Sequence, residues 1–501
     1  MGRMSRFFGF SEDNVRILRI ARLMVTLMPF VIATVVMSST FHLIFIAEAL
    51  GGGPGRYLEG LALVGILVII QLGFQTLLDY PTGAVGDWIG QRWIIASAYV
   101  CYGFVFYLTS LVTTSSSFLL FILIFVFVAI AASQESGAWM AWFDNNYRAA
   151  SPSDEDRKQY GVFLGRSAMV LQLVSTLILI PGSILAVVFG RTWVFQLEAI
   201  MCFIVAIGVI RLVKDFPEVK EARKKPTMSE YTDLLKSGVR FLFSDPFITW
   251  FVIGGTLVTS VIIVWANLML FPFYFLYLIT DVGVATFRTI LFFPGVFTEE
   301  RSGVWSRRFE IKKWVPRFRL LQTCGFLFFM LLGIFMLLFP PFASGVPIIE
   351  VLLPFTDIVI FELPSTYILP IILMFFAFLM TGLFSGFANI LTQRMMLDVI
   401  PNRIRNSVYS LIPTVTMILA LPQIVFFGFT IQLESQMHDF GFPISLMLCA
   451  LVSLVGVLMI RKGLSYPVPK SEEETWSSSK PDVPAGIEIL DDEVERESEL
   501  A

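Results

Sequence analysis

Apolar residues run along this chain in blocks of about twenty, the length an α-helix needs to cross roughly 30 Å of hydrocarbon. Short polar connections separate them. Six blocks come first: Leu23–Ala47, Leu58–Leu78, Trp93–Val112, Phe118–Phe143, Val162–Phe189 and Trp193–Val213. Six more follow: Phe247–Ile279, Val282–Phe297, Leu320–Pro340, Tyr367–Ile390, Val408–Thr430 and Phe442–Ile460. The pattern predicts an all-α membrane protein of twelve transmembrane helices in two six-helix bundles.

The connections define the organisation: a terminal segment over 1–22, a first bundle over 23–213, a linker over 214–245, a second bundle over 246–462 and a tail over 463–501. In the linker, Thr227 and Glu230 have capping-box spacing, and Tyr231, Leu234, Leu235 and Phe241 follow on one helical stripe. An amphipathic helix is expected there. It either lies on the inner leaflet, with Lys236 and Arg240 toward headgroups, or packs beneath the bundle. The connection Phe342–Thr366, carrying Glu350, Asp357 and Glu362, is long and apolar enough for an external cap or a membrane-surface segment.

Composition agrees: 56% of the 501 residues are hydrophobic and 15% charged, a balance that makes the bilayer the solvent. Charge placement orients the chain. With the N-terminus inside, Arg56, Arg191 and Arg288 are the outward-side residues among the 36 Lys and Arg. Cytoplasmic loops carry that excess, so a multi-pass cell-membrane protein with both termini cytoplasmic is expected. Arg16, Arg19 and Arg22 precede a first span of full bilayer length, which reads as uncleaved. Cys101, Cys202, Cys324 and Cys449 all fall within spans, so no structural disulfide is expected. Between Ser471 and Ala501 the charge is −9, which leaves +6 for the rest of a chain whose total is −3. That acidic, Ser- and Pro-containing tail is predicted to be disordered.

The connections after the second and eighth spans repeat each other. GAVGDWIGQRW starts at Gly83 and GVWSRRFEIKKW at Gly303; each has a Gly at the expected helix end, a charged residue four later and a basic residue nine later. With Gly83, Asp87, Gly90 and Arg92, the first copy resembles the signature loop of the major facilitator superfamily, although Trp88 and Gln91 replace residues that are usually basic. PTG at Pro81, SGAWMAWFD from Ser136, YGVFLGRS from Tyr160 and IPNRIRNSVYSL from Ile400 extend the resemblance across most of Leu23–Arg461. It implies two bundles related by a pseudo-two-fold axis. It also implies a cytoplasmic gate in which Asp87 meets the start of the eleventh span near Arg405, with Asp79, Asp144, Arg166 and Arg92 among the neighbouring charges. Gly83 and Gly90 would allow a tight turn and close helix approach there. The second copy, with Arg307 and Glu310, departs from the signature.

Ionisable groups inside a membrane are costly and invite a functional hypothesis. Glu135 stands eight residues before Phe143, about 12 Å along the fourth span by helical rise. It is expected either to exchange a proton from the cavity or to be a structural carboxyl bonded to a neighbouring helix. Gln71, Gln75 and Asp79 share one face of the second span, lining a pathway or holding helices together. Arg288, about 9 Å past Val282, either attracts an anionic solute group or pairs with Asp281 two turns back; the local pair is the favoured expectation. His42, near the outer end of the first span, is a candidate for solute binding or coupling that could titrate near neutrality, or else a lone structural imidazole at the interface. Asn267 and Trp265 are candidate solute contacts, whereas Trp139 and Trp142 suit a membrane interface. Pro181 with Gly182, Pro413 and Pro422 are expected to kink or loosen their helices.

A secondary active transporter of a small solute, alternating its access and coupled to protons or another ion, is therefore expected. A non-transporting solute sensor or membrane scaffold on the same fold is the alternative. No phosphate-binding Gly-rich loop indicates ATP use, and two His without a nucleophile and base motif give no support to an enzyme. No cofactor, metal or nucleic acid is implied. A monomer in the lipid bilayer is expected.

Overall fold

The computed structural model of the protein describes residues 7–8, 14–152, 158–221, 236, 239–292, 314, 323–340, 347–376, 378–379, 399, 405–437 and 441–467. Among these, nine helices are long and apolar enough to cross a membrane. The predicted linker helix at Thr227–Leu235, the repeated loop over Gly303–Lys313 and the acidic tail lie outside the described residues.

The chain rises through α1 (Val15–Val36) and α2 (His42–Gly51) and returns through α3 (Tyr57–Ile89). It rises again through α4 (Gln91–Ser110) and returns through α5 (Phe118–Glu135) and α6 (Ala138–Ala150). The pair α7 (Lys158–Leu177) and α8 (Leu179–Phe189) forms the fifth span, and α9 (Arg191–Leu212) the sixth. The later part begins with α10 (Pro246–Val264), a π-helical turn at Trp265–Met269 and α11 (Leu270–Leu278), followed by a helix over 281–292, here α12. Helix α13 (Thr323–Leu338), α14 (Ser365–Phe376), α15 (Arg405–Met437) and α16 (Gly441–Leu464) complete the described bundle. We call the side on which α1 begins and α16 ends the near side, and the opposite one the far side.

Two of the turns are single glycines. Gly90 (φ 105°) joins α3 to α4 and Gly190 (φ 90°) joins α8 to α9, a backbone that a side chain would strain. This corrects the expectation for Gly83. The second span does not end there; nothing between Gly83 and Ile89 breaks a helix, so α3 continues to Ile89 and the turn falls at Gly90. A Cβ on Gly83 would meet nothing within 4 Å, so no close helix approach depends on it.

Four spans are irregular, each for an identifiable reason. The first breaks over Met37–Phe41. Gly182 allows this break to nest: a Cβ there would lie 2.4 Å from the Met37 carbonyl oxygen, and Thr40 and Ser183 hydroxyls meet at 3.3 Å alongside. The fifth span is interrupted at Ile178, because Pro181 has no N–H to offer the Leu177 carbonyl. The fourth breaks at Ser136–Gly137, where Gly137 takes φ 76°. The seventh carries the π-turn. Helix α15, by contrast, passes through Pro413 and Pro422 as one helix.

Small residues set the closest crossings, as expected where lipid supplies no hydrophobic drive between helices. A Cβ on Gly65 would stand 3.4 Å from the Ile424 carbonyl and one on Gly428 3.4 Å from the Ala62 Cα, so α3 and α15 meet nearly backbone to backbone. Gly254 and Gly456 do the same for α10 and α16. The connection after α13 is an antiparallel hairpin, β1 (Ile348–Leu352) with β2 (Val359–Pro364), an addition to the all-helical expectation that its Ile, Val and Phe residues favour.

Gly182→Ala is expected to destabilise the protein by about 1–3 kcal/mol through overpacking, whereas Gly255→Ala, with nothing within 4 Å of its added Cβ, should leave thermal unfolding in detergent unchanged.

Candidate functional site

Buried charge concentrates at three places. The first surrounds the break in span one. Glu198, in the middle of α9, is fully buried, and its Oε1 accepts the Ser38 amide at 2.8 Å. The break frees a backbone donor where no water can reach it, and the carboxyl takes it up. Glu198 went unnoticed in the sequence, although a carboxyl in an apolar run is the same signal that singles out Glu135.

The second place is Glu135, which closes α5 at the Ser136–Gly137 break. Both of its oxygens are engaged by α4: the Tyr99 hydroxyl donates to Oε1 at 2.5 Å and the Tyr102 hydroxyl to Oε2 at 3.1 Å. The carboxyl is half-buried between spans three and four, and two phenols hold it in one orientation. Nearby, Thr82 on α3 donates to the Ser133 carbonyl at 2.9 Å, which ties the second span to the same turn of α5.

The third lies on the far side, where the N-terminus of α9 meets α2 and α12. Arg191 forms a fork on Asp281, with Nε–Oδ2 at 2.8 Å and Nη2–Oδ1 at 2.7 Å, while its Nη1 donates to Glu48 Oε2 at 2.6 Å. All three side chains are largely withdrawn from solvent: Arg191 keeps 21%, Glu48 16% and Asp281 7% of full exposure. Bidentate geometry in a partly desolvated site makes this a strong tie. Glu48 and Arg191 precede the linker and Asp281 follows it, so the triad joins the early spans to the late ones. A cavity of about 320 Å³ lies beside it, lined by Glu48, Tyr57, Arg191, Phe275 and Ile279.

The triad corrects the expected pairing of Arg288 with Asp281. Asp281 is taken by Arg191, which approaches it in line with both carboxylate oxygens; Arg288 instead lies over the rings of Phe292 (4.6 Å) and Phe271 (5.0 Å). Its Nη1 is buried without a hydrogen-bond partner, as is the Tyr274 hydroxyl on α11.

The other predicted residues are dispersed. Gln71, Gln75 and Asp79 are half-buried along α3, and Asp79 Oδ1 has no partner. Asn267 sits in the π-turn and donates to the Ile263 carbonyl at 2.9 Å. Trp265, in the same turn, is buried among Phe273, Phe328, Phe329 and Phe378. His42 starts α2 just after the first-span break, its Nε2 3.3 Å from Thr109 Oγ1 and its ring edge-on to Phe195. Trp142 is only 2% exposed, so a protein core surrounds it and not a membrane interface. Of the gate set, Asp144 pairs with Arg148 at 2.7 Å, Arg92 stacks on Trp93 at 4.8 Å, and Arg166 donates to the Phe7 carbonyl. The side chains of Asp87 and Arg405 lie outside the described part.

Among the described residues, apolar helices of this number and length define a polytopic α-helical membrane protein. The sequence matches the Major Facilitator Superfamily over residues 20–418, and the chain belongs to that family. No curated protein matches its sequence. Its fold is similar to a crystal structure of a mutant of the nucleoside transporter NupG, at 13% identity and TM-score 0.53, covering 89% of this chain and 99% of that one. It is also similar to a POT family transporter in complex with a thioalcohol-conjugated peptide, at 12% identity and TM-score 0.57, covering 87% of this chain and 95% of that one. The protein is a membrane transporter and not an enzyme.

Arg191→Ala would leave Glu48 and Asp281 without their shared cation, and is expected to cost about 3 kcal/mol or more. The neutral triple variant Glu48→Gln, Arg191→Gln, Asp281→Asn should lose less. Thermal melts of the detergent-purified proteins make the comparison, and a triple variant weaker than Arg191→Ala would contradict it.

Proposed function

We propose that the protein is a secondary active transporter that moves a small solute by alternating access, with both termini cytoplasmic and the far side outward. The observation that carries this is the Arg191–Glu48–Asp281 triad, together with the Gly65–Gly428 crossing. Both join the early spans to the late ones on the far half of the bundle. Contacts of this kind close one side of a central pathway and must separate for it to open there. In this reading the triad is the outer gate, and Asp79, Asp87, Arg92, Asp144, Arg166 and Arg405 serve the cytoplasmic one.

Irregular helices support the same reading. Transporter sites are commonly built where spans are discontinuous, and here the first, fourth, fifth and seventh spans are broken or bulged. Glu135 is the proposed coupling group: it stands at such a break, and two tyrosine hydroxyls hold its carboxyl where a change in packing would alter its hydration. Gln71, Gln75, Asn267 and His42 are the accompanying polar groups of the pathway. The substrate would be a small molecule, and the protein would work as a monomer.

Counterflow of labelled solute in liposomes separates transport from sensing, because a sensor binds without exchanging label. Coupling is tested with Glu135→Gln: proton-driven accumulation should fall to background while counterflow persists. Accumulation at the wild-type level would remove Glu135 from the coupling step.

A further inference from the structure

Arg288 is half-buried with its Nη1 shut away from solvent, and among the described residues no carboxylate pairs with it. The carboxylate on its own helix, Asp281, is held by Arg191. The adjacent Thr289 hydroxyl donates to the Thr176 carbonyl at 3.0 Å, across to the fifth span. From α11, Phe271 lies under the guanidinium and Tyr274 packs against Phe271. Aromatic faces favour the flat faces of a guanidinium, but its in-plane N–H donors still need acceptors, and Nη1 has none. The Tyr274 ring packs edge-on to Phe271, the ring on which Arg288 lies, and its hydroxyl is likewise buried and unmatched. Two orphaned donors that share Phe271 as a neighbour in a low-dielectric interior are an arrangement that an anion resolves and that an apolar side chain would have avoided.

The position strengthens the case. Thr289 ties α12 to Thr176, immediately before the interruption of the fifth span at Ile178. Phe271, on which Arg288 lies, follows the π-turn of the seventh span, and local π geometry of that kind often marks functional sites. Arg288 therefore stands between two irregular helices, one from each part of the chain, where a site of alternating access would be read from both. The ring of Tyr274 continues into Phe287 and Phe378, giving the surroundings an apolar, aromatic character.

We propose that Arg288 and the Tyr274 hydroxyl form the anion-recognition subsite of the transport pathway, and that the substrate is a small organic acid with an apolar body. Its carboxylate bonds Nη1 of Arg288 and the Tyr274 hydroxyl, and its body packs against the surrounding rings. This rests on the transporter reading above and specifies the class of substrate.

The test uses the purified full-length protein and thermal stabilisation by a panel of short- and medium-chain aliphatic and aromatic monocarboxylates, each beside its neutral amide. Saturable stabilisation by one or more carboxylates and none by the matching amides is expected. Arg288→Gln should weaken that binding about tenfold or more, the scale of one lost charge-assisted hydrogen bond. Arg288→Lys should keep part of it, and Tyr274→Phe, which removes a single hydroxyl, should weaken it several-fold without loss of fold. Equal stabilisation by acids and amides, unchanged affinity in Arg288→Gln, or no saturable shift with any carboxylate overturns the proposal. Counterflow of a neutral solute, equal in wild type and Arg288→Gln, would overturn it while leaving the transporter reading standing. Arg288-dependent carboxylate binding without exchange of label would do the reverse.

Discussion

In hydrocarbon no water is present to satisfy a backbone amide or carbonyl, so every departure from helical bonding must be matched by a group from the protein itself. That constraint shapes this molecule beyond its count of spans. Where the first span breaks, Glu198 takes the Ser38 amide and Gly182 makes room for the Met37 carbonyl. At the fourth-span break, glycine carries the positive φ and Glu135 lies alongside. Irregular backbone thus brings polar side chains into the bundle, and those side chains are where chemistry becomes available.

Two arginines show opposite solutions to burying a cation. Arg191 is matched by two carboxylates in fork geometry, which makes it a structural clamp between early and late spans. Arg288, only a short distance along α12 from the Asp281 end of that clamp, has aromatic faces and no acceptor for Nη1. The first arrangement is self-sufficient and can only be made or broken. The second is incomplete, which is the condition under which a solute contributes binding energy.

The parts before and after the linker are not equivalent. The two carboxyls that stand at broken spans, half-buried Glu135 and buried Glu198, belong to the earlier part, each bonded within it. The orphaned cation and the π-turn belong to the later part. The crossing of α3 on α15 gives the two parts a common surface.

Much of this was legible in the residues alone. Runs of twenty apolar side chains specify spans because the bilayer demands them, and the Gly83 motif was enough to suggest the family. Glu135 and Arg288 stood out because a charge in an apolar run is rare. What could not be read was partnership. Asp281 is seven residues from Arg288 on the same helix, yet it bonds Arg191, because the approach of α9 at Gly190 places a better-aligned guanidinium beside it. Whether Gly83 ends a helix, or Glu135 faces a tyrosine pair, is likewise decided by which helices meet. Periodicity and composition determine what each segment buries, since that depends on the solvent; the choice of partner depends on angles and distances between segments far apart in the chain, and only the tertiary structure sets those.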